Sequence, residues 1–319
     1  MPINGPLIIF FSLVEGVFRS VHMVAEMHWI TENTSSRDRL HLFAIDQAMG
    51  RLTWMVASLV AYIVPVALVG ATPHVHDVPP WVFQIVLLAS STIWLASVIP
   101  AVMLRENVEV MAELRREARG FSFRNIVNRG FVARFVPVYL LYWLGLGLVH
   151  PLHNVFFTVY VGAAVDEVAL IMLVGTLSMA LGSFLIPVFA KRFGKVPSVT
   201  WSLYSSIPFT LGIVAFPSVF VSGLFFIFHE LTIHISEPIF RAYAMENVVT
   251  RERATVSGLM VSSHTIALGV GSWLGGWFMA TANWVPLNVL VAGLFLVAAF
   301  SFNLMFRRRE AEATVPAPA

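Results

Sequence analysis

The 319-residue chain has no cysteine, which excludes a disulfide framework and any thiolate metal site. It is also short of charge. Asp, Glu, Lys and Arg make up 12% of it, about half of the roughly 25% usual in a soluble domain. No Walker-type phosphate loop is present, so nothing in the chain points to ATP as a drive. Gly269-Val-Gly271 lacks a third glycine at the right place and a preceding strand, which removes a dinucleotide loop. His229-Glu-Leu-Thr-Ile-His234 misses the zinc-protease spacing His-Glu-x-x-His by one residue. Histidines five apart are turned by roughly 140° on a helix and do not readily share a metal. His74, His76 and Asp77 read as a solvated loop rather than a ligand set. No metal and no cofactor is expected.

What the chain has is apolar sequence. It is 58% hydrophobic, with a mean hydropathy of +0.79, and this is the composition of an all-α integral membrane protein. Runs long enough to cross a hydrocarbon core of ~30 Å lie at about 6–30, 42–71, 80–104, 135–161, 168–190, 197–216, 218–244, 254–281 and 285–306. Nine transmembrane helices are predicted. The first run has no positive flank and is too long for a signal peptide, so it reads as a span. Seventeen of the twenty Lys and Arg fall in alternate connections, at 31–41, 105–134, 191–195, 250–253 and 307–309. By the positive-inside rule these face the cytoplasm, as does the C-terminus. The chain divides into a three-helix bundle (1–104), a cytoplasmic linker (105–134), a six-helix bundle (135–309) and a disordered tail (310–319).

Charge inside the spans is sparse and patterned. Glu230, His234, Glu237 and Arg241 are spaced 4, 3, 4, and so are Glu15, Arg19, His22 and Glu26, at an offset of 215 residues. Each set shares one helical face. An ionisable group at bilayer depth costs at least about 2.5 kcal/mol, so both faces are predicted to meet protein or a water-filled cavity, and one shared cavity. Each stripe is followed by a similar polar turn, Glu32-Asn-Thr-Ser-Ser-Arg-Asp-Arg39 and Glu246-Asn-Val-Val-Thr-Arg-Glu-Arg253. Together they indicate a duplicated unit. His150 and Asn154, beside Pro151, interrupt the fourth span and are placed at the cavity or in interhelical hydrogen bonds. Asp46 and Arg51 read as a gate or structural ion pair. Pro238 removes the hydrogen bond that would have used the His234 carbonyl. A row of small residues, Gly258, Ser262, Thr265, Gly269, Ser272 and Gly276, is the expected close-packing face of the eighth span.

These features resemble the major facilitator superfamily. The resemblance rests on the paired turns at half-protein spacing, the long basic central loop, and Pro187-Val-Phe-Ala-Lys-Arg-Phe-Gly-Lys195. That segment is similar to the family's Gly-x-Leu-Ala-Asp-Arg-x-Gly-Arg-Lys loop at Arg192 and Gly194, and departs from it at Pro187 and Lys191. The resemblance implies a two-bundle fold of which this chain is helices four to twelve, with about 80 residues expected ahead of residue 1. It implies a secondary active transporter of a small solute, working by alternating access, with proton-coupled efflux in a drug-efflux-like branch. Glu15, Glu230 and Glu237 are the proton-titrating candidates, and Arg19 and Arg241 their partners. Arg37, Arg39, Arg192, Gly194, Arg251 and Arg253 belong to the cytoplasmic gate loops. The partners implied are a small molecule, protons and the lipid bilayer of the cell membrane, with no nucleic acid and a monomeric chain. The alternatives are an uptake symporter for an organic anion or sugar, an intramembrane enzyme, and a non-transporting membrane protein.

Overall fold

A computed structural model describes residues 5–35, 38–69, 79–96, 99 and 126–314. Its helices are α1 (Gly5–Glu32), α2 (Arg39–Val69), α3 (Pro80–Ala96), α4 (Arg129–Val149), α5 (Val165–Phe193), α6 (Lys195–Ala215), α7 (Val219–Ile233), α8 (Ser236–Glu246), α9 (Thr250–Ala280) and α10 (Trp284–Thr314). No strand occurs among the described residues. Because α7 and α8 are two halves of one rod, the rods number nine among the described residues, as the apolar runs predict. Arg37, the cluster at His74 to Asp77, and linker residues 105–125 lie outside the described residues.

Among the described residues, five rods are long and apolar enough to cross a membrane: 129–161, 167–193, 219–246, 250–280 and 284–308. Their outward side chains are those that lipid accommodates, with Phe220 77% and Trp273 73% exposed. α6 carries many hydroxyls, which lower its hydropathy. They are satisfied internally: Thr200 donates to the Val196 carbonyl at 2.8 Å and Thr210 to that of Ser206 at 2.9 Å.

Two helix ends differ from the sequence expectation. α4 begins at Arg129, inside the predicted linker, because Asn128 caps it by accepting from the Phe131 amide at 3.3 Å. α10 continues to Thr314 rather than giving way to a tail at residue 310. Glu310 is held in place by the backbone amides of Lys195 and Val196. A carboxylate at the start of α6 satisfies amides that have no partner within the helix. The turn before it needs Gly194, whose φ of +89° is left-handed and favours glycine.

The duplication is visible in the packing. α1 and the α7–α8 rod begin and end 214 residues apart. α1 packs on α9, and α8 packs on α2, the exchange of partners that a two-fold relation requires. α2 also packs on α5. Where α4, α8 and α10 meet, Phe131, Phe135, Phe240, Phe302 and Phe306 are fully buried. Ring pairs such as Phe135–Phe240 at 5.9 Å and Phe240–Phe302 at 5.0 Å tie α4, α8 and α10 into a rigid base.

The small-residue face of α9 is not the predicted one. Gly269 and Gly276 have no neighbour within 4 Å of a built β-carbon, and Ser262 and Thr265 are exposed. The close approach is made by Gly271 and Gly275 against Gly147 and Leu148 of α4. Of the predicted row, Ser272 reaches α4, donating to the Gly147 carbonyl at 3.4 Å.

Candidate functional site

Two helix breaks shape the site. At the end of α4, Pro151 brings no N–H to the helical ladder, and the chain passes through a 3-10 turn (His150–Leu152), one α turn (His153–Val155) and a π segment (Phe156–Val161). Between α7 and α8, His234 and Ile235 form a turn ahead of Pro238. The His234 carbonyl, freed by that proline, accepts from the Gln47 side-chain amide at 3.3 Å. Non-helical backbone at membrane depth is tolerated where it is buried in protein or lines a cavity.

Both breaks open onto a cavity of about 780 Å³. Arg19, His22 and Glu26 line it from α1, and Glu230, His234, Glu237 and Arg241 from the α7–α8 rod. Seven of the eight stripe residues therefore share one cavity, although the second stripe sits on a broken helix and not a continuous one. Glu15 is exposed and lies outside the lining. His150 lines the cavity; Asn154, four residues on, is exposed and does not.

Arg241 is the centre of the charge network. Its guanidinium lies 2.8 Å from Glu237, 3.7 Å from Glu26 and 3.8 Å from Asp46. Arg51 approaches Glu237 at 3.9 Å. Asp46 and Arg51 thus belong to the cavity network and do not pair with each other. Gln47, which sequence reasoning missed, joins three elements: its amide donates to Glu237 at 3.1 Å, and its oxygen accepts from Ser183 of α5 at 3.3 Å. An amide inside an apolar run was the available signal. His264 of α9 was missed likewise; it lines the cavity with its ring 3.9 Å from that of Trp143.

Sequence spacing assembles no metal-ligand set, but the fold brings one together. Nitrogens of His150 and His234 and a carboxylate oxygen of Glu230 lie within 4.8 Å of one another. His229 does not join them; its Nδ1 lies 3.1 Å from the Thr210 hydroxyl.

The gate-loop candidates form a separate layer. Arg253 pairs with Glu32 at 3.0 Å, which joins the two copies of the repeated turn. Arg39 is buried and donates to the carbonyls of Thr31 and Thr34 at 3.1 and 3.3 Å. Glu246 pairs with Lys195. Arg192 and Arg251 are exposed.

The family model of the Major Facilitator Superfamily matches residues 3–267 and 135–319. The chain belongs to the major facilitator superfamily. This is a family of transporters rather than enzymes, and its members are multi-pass membrane proteins. Among solved structures, a bacterial homologue of the iron transporter ferroportin in its outward-facing state is similar, with TM-score 0.60 and 15% identity over 85% of this chain and 65% of its own. The human organic anion transporter MFSD10 (TETRAN) is similar, with TM-score 0.65 and 17% identity over 88% of this chain and 67% of its own. A bacterial homologue of the iron transporter ferroportin in its outward-facing state with soaked iron matches with TM-score 0.53 and 13% identity, over 95% of this chain and 90% of its own. This chain therefore spans about two thirds of the length of the first two. Likeness at such identities is one of major facilitator fold. No curated protein sequence matches this chain.

Proposed function

We propose that this major facilitator chain carries the solute pathway of a secondary active transporter, working by alternating access as a proton-coupled exporter. The observation that carries this reading is Arg241, shared by Glu237 on its own helix and by Glu26 and Asp46 on the other repeat. Side chains of Glu26 and Asp46 are 25% and 36% exposed, so water in the cavity reaches them. Protonation there removes the attraction that holds the repeats together at this point, and so couples proton exchange to their separation. Glu237 and Glu230 are more enclosed, with side chains 9% and 3% exposed. Glu15 has no cavity contact to support a coupling role. The efflux direction rests on the likeness of the paired turns to drug-efflux-like branches. The basic connections support a cytoplasmic C-terminus in the cell membrane, and the chain is read as a monomer.

The alternative of an organic-anion or sugar symporter, anchored by Arg19 and Arg241, is less well supported. Arg241 is already within 4 Å of three carboxylates. The lining holds four carboxylates against three arginines, a balance that favours a cation.

The test is flux in proteoliposomes holding the full chain, with an imposed pH gradient and three probes: ethidium, p-aminohippurate and Co2+. Gradient-driven movement of ethidium or Co2+ is expected, and Glu26→Gln with Asp46→Asn should uncouple it from the gradient; movement of p-aminohippurate alone would favour the anion symporter. Movement of none of the three, or flux unchanged when the gradient is collapsed, would sink the reading.

A further inference from the structure

We infer that His150, Glu230 and His234 form a binding site for a divalent transition-metal cation within the cavity. Glu230 and His234 are four residues apart at the end of α7, so they share a face. His150 comes from the break at the end of α4 and meets them across the cavity. From Glu230 Oε2, the Nε2 atoms of His150 and His234 lie at 3.6 and 3.5 Å. These separations are long for charge-assisted hydrogen bonds, which run about 2.7–2.9 Å. They are close to the ~3.3 Å between two ligands of a tetrahedral ion with bonds of about 2.0–2.1 Å.

Unpartnered atoms point the same way. Glu230 and His234 are 2% and 3% exposed. Glu230 Oε1 and both ring nitrogens of His234 have no hydrogen-bond partner among the described residues. Buried polar atoms without partners cost about 1–3 kcal/mol each, and a shared ion removes that cost for the atoms it binds. The other nitrogen of His234, Nδ1, faces Glu237 at 3.9 Å, and Gln47 donates to that same carboxylate.

Donor chemistry selects the class of ion. Two imidazoles and one carboxylate suit zinc, cobalt, nickel or ferrous iron, whereas calcium and magnesium take shells of oxygen. Half-exposed His150 lies on the cavity side, so a fourth ligand position can be taken by water. One carboxylate leaves a divalent ion with a net positive charge, which weighs against irreversible capture. That the ion is cargo rests on the transport reading above; that it binds does not.

The experiment uses the full chain, purified in detergent with its affinity tag removed and titrated with Co2+. Uptake of about one Co2+ per chain is expected, with the visible absorption of a low-coordinate ion, displaceable by Zn2+ and not by Ca2+ or Mg2+. His150→Ala and Glu230→Gln should each weaken binding at least tenfold, while His22→Ala, a histidine elsewhere in the cavity, should not. Absence of the absorption band in the wild-type chain overturns the proposal whatever the variants do. So does binding that His150→Ala leaves intact, or that Ca2+ competes away. Stoichiometric binding without Co2+ flux in proteoliposomes upholds the site and removes the ion as cargo. Ethidium flux without Co2+ binding upholds the transport reading and removes the site.

Discussion

Replacing Gly275 by alanine tests the contact that sets the distance between α4 and α9. A β-carbon there would lie 2.0 Å from the carbonyl oxygen of Leu148. A carbon and a carbonyl oxygen approach to about 3.3 Å, so the two helices must part by about 1.3 Å. The neighbour is backbone, and no rotamer change relieves the overlap. Overpacking costs about 1–3 kcal/mol, and a rigid neighbour puts this case near the upper end. The gain in helix propensity returns at most about 1 kcal/mol, which leaves a net loss of about 2 kcal/mol. Gly276, one residue on, has nothing within 4 Å of its built β-carbon. The same substitution there should keep only the propensity gain, so the neighbouring variants should differ by about 3 kcal/mol. The assay is SDS-driven unfolding of the full chain in mixed micelles, followed by circular dichroism. His264 and Leu268 of α9 line the cavity, so the parted variant should also show altered probe flux. Equal midpoints for the two variants, or a more stable Gly275→Ala, would refute the account of this contact.

Three further outcomes follow from the same distances. Arg241→Met should lose about 3 kcal/mol by leaving Glu237 buried with Arg51, at 3.9 Å, as its remaining guanidinium partner, and adding Glu237→Gln should restore about 2 kcal/mol of it in a double-mutant cycle by SDS unfolding. Strict additivity would show that the 2.8 Å pair does not govern stability. Gln47→Leu removes the donor to the His234 carbonyl and to Glu237, so hydrogen exchange at residues 234–239 should quicken in mass spectrometry, with a stability loss of about 1–3 kcal/mol. Unchanged exchange would show that Gln47 does not support the break. Because the chain has no cysteine, Glu32→Cys with Arg253→Cys gives a unique pair for a short bismaleimide. Cross-linking should stop probe flux while each single variant retains it; full flux in the linked protein would remove this contact from the gate.

Much of the site was legible because the relevant physics is local in sequence. Helical periodicity put Glu230, His234, Glu237 and Arg241 on one face, and the cost of charge in lipid turned that face inward. Pro238 announced the freed carbonyl of His234, since a missing N–H is a covalent property of the chain. The repeated stripe and turn implied the exchange of helix partners that α1, α2, α8 and α9 show. Three things waited for the tertiary structure. Periodicity orders residues around a helix axis without saying which way the helix is rotated toward its neighbour, so the packing glycines of α9 are 271 and 275, not 269 and 276. It carries no information across helices, so nothing in the spacing brought His150 to Glu230 or Asp46 to Arg241. Nor does it measure reach into a cavity: Glu15 and Glu26 lie on one face of α1, yet Glu26 lines the cavity and Glu15 lies outside its lining. Those decisions belong to helix rotation and axial depth, which only the packed bundle sets.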